Sequence, residues 1–360
     1  MLDKFKGNNK ITDIAIWGHP PPPFGGMTVH ISRLLPRLKE HDIKYTLYSF
    51  DRRPNKDENF QFAKNIKWLS RLLIGNTENI HYIITVRPWV RSLAVLFGII
   101  RKRKIILRIG GASLYRGAMT GSTINRYMSK FAVRNASAVI GVNDDICKLA
   151  ISLGAQRNKV HKIPGFIYPQ KNGSIRSPEL NKFLDDKWPR IITTGRIVNP
   201  HQYDMYGIGM SIDMIESLIE RYPNIGFVVF SQNEDNNTSN DNLYLKLNST
   251  KLKNTVVIIR GTFDFIPTLE MCDVFVRPTH SDGDANSIRE ALFLKTPVVA
   301  SDCVVRPPGC RTFQSGNLSS FIDTMRITLN NLDNIRKEIS TLEFEDNSKA
   351  VIDIIKQFIN

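Results

Sequence analysis

Cysteine is scarce. Four residues in 360 (Cys147, Cys272, Cys303, Cys310) lie far apart in sequence or outside any C-x-x-C pair. That spacing argues against a disulfide framework and against a zinc site. Long apolar runs are missing too: the longest, Ser92 to Ile100, is nine residues fenced by Arg91 and Arg101, whereas a bilayer span needs roughly 20. Met1 to Lys10 is polar and lacks the apolar core of a secretory signal. The expectation is a cytoplasmic chain, in which the N-x-[ST] triplets at Asn135, Asn172, Asn236 and Asn248 are chance matches. No G-x-S-x-G elbow, Walker loop or G-x-G-x-x-G is present, which argues against hydrolase, NTPase and dinucleotide chemistry. RNP-type interleaving of aromatic and basic residues is absent, and so is zinc-finger spacing, which demotes nucleic acid as a partner. No repeat of 20–50 residues is visible.

Charge is what the sequence has in quantity, and it is unevenly placed. The net value is +15. Residues 1–170 hold 28 Lys+Arg against 10 Asp+Glu, while residues 171–360 hold 21 against 24. A basic half joined to a near-neutral half implies two units facing different partners. The densest basic run, Arg101-Lys102-Arg103-Lys104, points to peripheral, salt-reversible binding of the first half to an anionic membrane surface, without insertion. Composition is otherwise that of a folded chain, 42% hydrophobic and 23% charged. At ~150 residues per domain, the length fits about two domains.

Apolar runs rich in β-branched residues alternate with helical patterns. Ile11–Trp17, Ile43–Phe50, Ile80–Thr85, Lys104–Ile109 and Ala138–Val142 read as buried strands. Met27–His41, Trp89–Ile100, Ile124–Asn135 and Asp145–Leu153 read as the helices between them, with Pro36 expected to kink or shorten the first. Pro164–Pro178 reads as a linker, after which alternation restarts. Strands are expected at 191–194, 227–230, 256–259, 274–276 and 297–301, and helices at 286–294 and 317–329. Ile208, Ile212, Ile215 and Ile219 fall on one helical face. Val351, Ile354, Ile355 and Phe358, at i, i+3, i+4 and i+7, mark a final amphipathic helix that must dock on something. The expected organisation is a doubly wound unit over 1–168, a second over 169–345, and a closing helix over 346–360. Such α/β units bind ligands at the carboxyl ends of their strands.

The stretch richest in chemistry is Arg277–Cys303, RPTHSDGDANSIREALFLKTPVVASDC. A strand ends near Pro278, a polar loop follows, and a helix starts near Asn286. The amides at that start are oriented for an anion such as a diphosphate. Asp282 and Glu290, eight positions apart, could both face one cleft and accept from sugar hydroxyls. Structural readings compete with these. Ser287-x-x-Glu290 satisfies a capping box, Asp282-Gly283 is a common turn dipeptide, and Asp282, Asp284 and Asn286 open like a calcium loop without its Gly and closing Glu.

Five segments in order resemble the retaining glycosyltransferases of family four, which have the two-domain GT-B fold. Asp282–Ser301 is similar to the E-x7-E site and following PVVAS strand of that family. His19–Leu38 (HPPPPFGGMTVHISRLLPRL) resembles its Gly-Gly loop and first helix. Ile151–Ile167 resembles the end of its first domain, Ile191–Val198 (IITTGRIV) the GR segment that opens its second, and Arg260–Arg277 the approach to the donor loop.

The resemblance implies a fold of two Rossmann-like domains facing a central cleft, with the C-terminal helix docking back. It implies transfer of a sugar from a nucleotide-diphosphate donor to a hydroxyl of a glycan or lipid-linked acceptor, as in O-antigen, capsule or exopolysaccharide synthesis. Gly25 and Gly26 would let the backbone approach donor and acceptor. Arg196 would pair with the diphosphate, Asp282 would hold the transferred sugar, and Glu290 would bind the ribose hydroxyls. Asn286, Ser287 and Ile288 would offer amides to the phosphate. No metal or other cofactor is implied, so Asp282-Gly283-Asp284 is a chance match to the D-x-D motif of the other large glycosyltransferase architecture. Asp282 stands where the family has Glu, and Tyr206-Gly207 where it has Lys-Gly. His19 and His30 flank the Gly-Gly loop, within reach of substrate. The competing functions are a sugar-nucleotide epimerase of the same fold and a basic nucleic-acid-binding protein.

Overall fold

A computed structural model describes residues 13–21, 25–49, 59–62, 78–169, 178–195, 204–231, 249, 252–260 and 265–359. These divide into two compact units, one running to Ile167 and resuming at Asp346, the other spanning Tyr168–Glu345.

The first unit is a seven-stranded sheet, all parallel, built from β1 (Ile14–Trp17), β2 (Tyr45–Ser49), β3 (Phe60–Phe62), β4 (Ile80–Ile84), β5 (Lys104–Ile109), β6 (Ala138–Gly141) and β7 (Val160–Lys162), in the order 3-2-1-4-5-6-7. Every residue of β1, β2, β4 and β6 is buried, because the crossovers lay helices on both faces. On one face α2 (Pro88–Ile100), α3 (Thr123–Asn135) and α4 (Asp144–Ser152) turn Val90, Ala94, Val95, Ala132, Val133 and Ile146 onto Trp17, Leu107, Ile109 and Val139. On the other, α1 (Gly26–Glu40) sets Ile31, Leu34 and Leu38 against Ile14, Ile16, Tyr82 and Ile106. Burying each such side chain stabilises by roughly 1.5–3 kcal/mol relative to exposure. Of the two expected effects of Pro36, a kink or a shortening, the shortening does not occur: α1 continues to Glu40. Leu34, Leu35 and Leu38 on either side are buried, and this packing outweighs the amide lost at position 36.

The second unit repeats the plan. α5 (Pro178–Leu184) precedes β8 (Arg190–Gly195), followed by α6 (Ile208–Leu218), β9 (Gly226–Ser231), β10 (Val256–Arg260), α7 (Phe265–Glu270), β11 (Val274–Arg277), α8 (Asn286–Phe293), β12 (Val298–Ser301), β13 (Cys310–Phe313), α9 (Leu318–Asn330) and α10 (Leu332–Ser340). Its six parallel strands run in the order 10-9-8-11-12-13. Ile208, Ile212 and Ile215 of α6 pack with Phe321 and Met325 of α9 on one face. Leu184, Leu269, Ile288, Leu292 and Ile339 cover the other.

The chain then returns to the first unit. α11 (Ser348–Ile359) buries Val351, Ile352, Ile354 and Ile355 in the cluster that contains α1. Arg37 of α1 pairs with Asp346 at 3.3 Å, and Asn347 Nδ2 donates to the Phe166 carbonyl at 2.9 Å.

Candidate functional site

In the second sheet the strand order reverses at β8, which lies between β9 and β11. Ligands of open parallel sheets sit beyond the carboxyl ends of the strands at such a point. β8 ends at Gly195, and Arg196, singled out from the sequence, lies outside the described residues. β11 ends at Arg277, whose Nη1 donates to the Thr194 carbonyl at 3.0 Å and ties the two strand ends together. The segment before α6 packs on the loop after β11. His280 N donates to the Met205 carbonyl at 3.0 Å. Gly207 has φ +66, and a Cβ there would stand 2.1 Å from the Pro278 carbonyl oxygen, so no other residue fits.

Asp282 lies in that loop, and its carboxylate is engaged by the protein itself. Oδ2 accepts from Arg306 Nη1 at 3.0 Å, from Arg277 Nε at 3.3 Å and from Thr279 Oγ1 at 3.4 Å, while Oδ1 accepts from the Gly283 amide at 3.0 Å. Its side chain is 10% exposed and that of Arg306 is 2% exposed. Burial pushes the Asp282 carboxyl up, but Arg277 and Arg306 outweigh it and hold the group below the usual carboxylate range. Arg306 is fixed in turn by the Ser301 carbonyl at 2.8 Å and by Thr279 Oγ1 at 3.2 Å. A carboxylate offers about four acceptor positions, so Asp282 is chiefly an anchor for two guanidiniums.

Asp284 is likewise occupied. Arg289 Nε reaches its two oxygens at 2.8 and 3.1 Å, so each carboxylate of the D-x-D match has a guanidinium of its own. Among the described residues no group of three or more His, Cys, Asp or Glu side chains is placed to hold a metal ion.

α8 begins at Asn286 with Ala285 as its N-cap and no side-chain cap. The capping-box reading of Ser287 and Glu290 therefore fails. Ser287 is already the second helical residue, and Glu290, 4% exposed, lies in the next turn with its side chain buried. The Ile288 amide donates to the Ala285 carbonyl at 3.0 Å, and its side chain fills the core. That corrects its assignment as an anion donor and leaves the first-turn positions Asn286 and Ser287 for that role.

In the first unit, Gly25 caps α1 in an extended conformation (φ −166, ψ 166) that any residue adopts, with Gly26 as the first helical residue. A Cβ on Gly25 would meet only Thr28 Oγ1, at 4.0 Å. Thr28 Oγ1 accepts from the Gly25 amide at 3.0 Å, closing the turn. His19 Nδ1 lies 2.7 Å from Ser49 Oγ. His30 is buried between the Gly165 carbonyl at 3.2 Å and Tyr82 Oη at 3.1 Å. Desolvation, aided by Arg108, lowers its pKa well below the usual value, so it is a neutral core residue and not a substrate contact.

The second-unit loop thus carries two guanidiniums around one carboxylate, a net positive charge held out of water, beside the positive end of α8. Such a fixed field favours a bound anion and negative charge developing beside it. Sequence reading missed Arg277 and Arg306. Arg277 is the last residue of a strand and reads as a strand end. Arg306 lies three positions beyond the stretch that drew attention, and only folding brings it to Asp282.

Residues 188–331 match the family model described as glycosyl transferases group 1. A capsular polysaccharide biosynthesis glycosyltransferase, CapM of Staphylococcus aureus, is 26% identical over 189 residues, 49% of this chain and 46% of that protein. The match therefore spans about half the length of this curated relative. Among solved structures, Anabaena Alr3699/HepE in complex with UDP-glucose superposes with a TM-score of 0.69 at 14% identity, covering 96% of this chain and 98% of that one. Sucrose-phosphate synthase of Thermosynechococcus elongatus gives 0.72 at 12%, with the same coverage. The architecture is GT-B.

Proposed function

We propose that this chain is a glycosyltransferase that moves a sugar, with retention of configuration, from a nucleotide-diphosphate sugar to a hydroxyl of a glycan or lipid-linked acceptor in surface polysaccharide synthesis at an anionic membrane. The observation that carries the reading is the Arg277–Asp282–Arg306 cluster at the switch point of the second sheet, next to the start of α8. The family model covers this unit, and a neighbour of the same fold was solved with UDP-glucose.

In this reading the diphosphate lies against the first-turn positions Asn286 and Ser287 and the field of the cluster, with Arg196 as the further cation that the family resemblance implies. Glu290 accepts from the ribose hydroxyls. Asp282 sets the two guanidiniums and offers its remaining acceptor position to the sugar. Gly25 and Gly26 leave room for backbone approach on the first unit, since Gly25 needs its missing Cβ for nothing within the protein. Negative charge builds on the leaving diphosphate, so electrostatic stabilisation is the main catalytic contribution. The departing phosphate takes the acceptor proton, and no separate general base or metal is needed.

The test is a thermal-shift screen with UDP-, GDP- and dTDP-sugars, followed by product analysis with and without acceptor glycans. Stabilisation by one donor and acceptor-dependent product support the reading. Donor turnover without acceptor identifies an epimerase instead. No donor effect, with salt-sensitive binding to nucleic acid, identifies the non-enzymatic alternative.

A further inference from the structure

Nine of the fifteen exposed large hydrophobic side chains among the described residues fall between Val86 and Tyr127. Apart from Val86 they lie on α2, the helical turns at 113–120 and the first half of α3, with the buried strand β5 between α2 and the turns. These three segments form one continuous layer. Ser92 Oγ on α2 donates to the Met128 carbonyl of α3 at 2.6 Å, and Gly117 stands so close that a Cβ would be 2.6 Å from Ser129 Oγ and 3.0 Å from Pro88 Cγ. Val90, Ala94, Ala132 and Val133 turn inward to the core. The outward face presents Leu96, Ile99, Ile100, Met119, Ile124 and Tyr127, the last three 50%, 66% and 70% exposed.

Charge along the α2–α3 layer is of one sign. From Asn79 to Asn143 there are eleven Lys and Arg, of which Arg91 and Arg108 are buried, and no Asp or Glu; the nearest exposed acids, Asp144 and Asp145, begin α4. Arg101, Lys102, Arg116, Arg126 and Lys130 are exposed on the same segments as the apolar side chains, while the Lys104 side chain leans over the Phe358 ring of α11. At the foot of α2 a cavity of about 220 Å³ has Lys102, Arg103 and Lys104 on its walls and Val95, Gly98 and Ile99 beneath. Exposed aliphatic and aromatic side chains set among cations, with a basic recess beside them, match the acyl–headgroup boundary of a bilayer.

We infer that the outer face of the α2–α3 layer docks on an anionic phospholipid bilayer, with Ile100, Met119, Ile124 and Tyr127 entering the acyl boundary and the Lys102–Lys104 recess receiving a lipid phosphate. This deepens the membrane placement proposed above and amends its sequence basis, which foresaw electrostatic binding without insertion. A second copy of the chain is a poor occupant, because two such faces would set like charges against each other. The inference does not depend on the donor reading, since every residue it uses belongs to the first unit.

The experiment is flotation of the full chain with vesicles of phosphatidylcholine alone or with phosphatidylglycerol, at low and high salt. The parent should float only with anionic vesicles, and high salt should weaken binding without abolishing it. Ile124→Ser/Tyr127→Ser should bind about tenfold more weakly and be fully released by salt, having lost apolar area but no charge. Arg101→Glu/Lys102→Glu should lose binding by at least about tenfold. Equal flotation with neutral vesicles, no flotation at low salt, or variants that float like the parent would overturn the proposal. UDP-glucose stabilisation, measured on the same proteins, should be unchanged by either variant. Its absence from the parent as well would count against the donor reading and leave the docking face standing.

Discussion

Arg306 Nη1 lies 3.0 Å from Asp282 Oδ2, across 24 residues of sequence and the whole of α8 and β12. The contact fixes what each residue can do. Arg306, with a 2% exposed side chain, acts on a ligand only through its charge, and Asp282 has given most of its acceptor capacity to the protein.

Asp282→Asn should therefore be a stability variant before it is a binding variant. It leaves two guanidiniums without their counter-charge, and breaking such a buried pair costs about 3–5 kcal/mol. The expected fall in Tm is on the order of 10 °C for a unit of this size. Because the folded carboxyl ionises below its ordinary value, the stability it provides is complete above about pH 4 and is lost as pH falls from there through the depressed value. Denaturant midpoints of parent and variant should converge in that acid range. An unchanged Tm with weakened donor binding would return Asp282 to a simple sugar contact.

Glu290→Gln should do the reverse. With Ala285 as the N-cap, a capping role is gone, and a carboxylate serving two ribose hydroxyls is poorly replaced by an amide that offers one acceptor. Donor affinity should fall by on the order of 10–100-fold, with Tm within a few degrees of the parent. Isothermal titration of the UDP-sugar beside a melting curve separates the two roles.

Divalent ions should be dispensable. Both acids of the D-x-D match are engaged by arginines, Asp284 through two contacts from Arg289 Nε. Turnover should persist in EDTA, and an activity abolished by EDTA and restored by Mn²⁺ would contradict it.

His81 makes the first unit sensitive to mild acid. Burial lowers its pKa from 6.5 to about 4, and its Nδ1 accepts from Trp17 Nε1 at 3.0 Å. Between those values the unfolded ring takes up a proton that the folded ring refuses, so stability drops as pH falls from about 6.5 to about 4, by on the order of 3 kcal/mol. Urea unfolding followed by tryptophan fluorescence should show that slope. His81→Gln should flatten it but not remove it, because His30 shifts in the same direction.

Gly207→Ala should cripple the candidate site from outside it. The substitution forces φ +66 on a residue with a Cβ and drives that atom into the Pro278 carbonyl. The loop holding Asp282 must shift, so donor affinity and Tm should fall together.

Most of the architecture was legible because buried parallel strands are continuous apolar runs. Ile80–Thr85 and Ala138–Val142 announce β4 and β6 almost to the residue. Three strands escaped notice: Phe60–Phe62, Val160–Lys162 and Cys310–Phe313. Each is three or four residues at a sheet edge, too short for a period to show. Glu290 could be found from its spacing to Asp282 and the strand that follows. Arg306 could not, because a partner brought in by a crossover leaves no local pattern. The start of α8 was legible at Asn286, and the competing capping-box reading, which needs the N-cap at Ser287, fell because the N-cap is Ala285, two positions earlier.

The last helix of the chain completes the core of the first unit, with Val351, Ile352 and Ile355 lodged beside Ile31 and Leu34. On the ribosome, the first unit therefore emerges with one face of its sheet covered by α1 without α11, and stays so while the whole second unit is made. Only when α11 is released can that face close. The second unit, whose clusters take nothing before Leu180 or after Phe344 among the described residues, is free to fold first, so the order of folding runs against the order of synthesis. A stop codon within α11 would spare the unit made later and leave the earlier one without the side chains that complete its core.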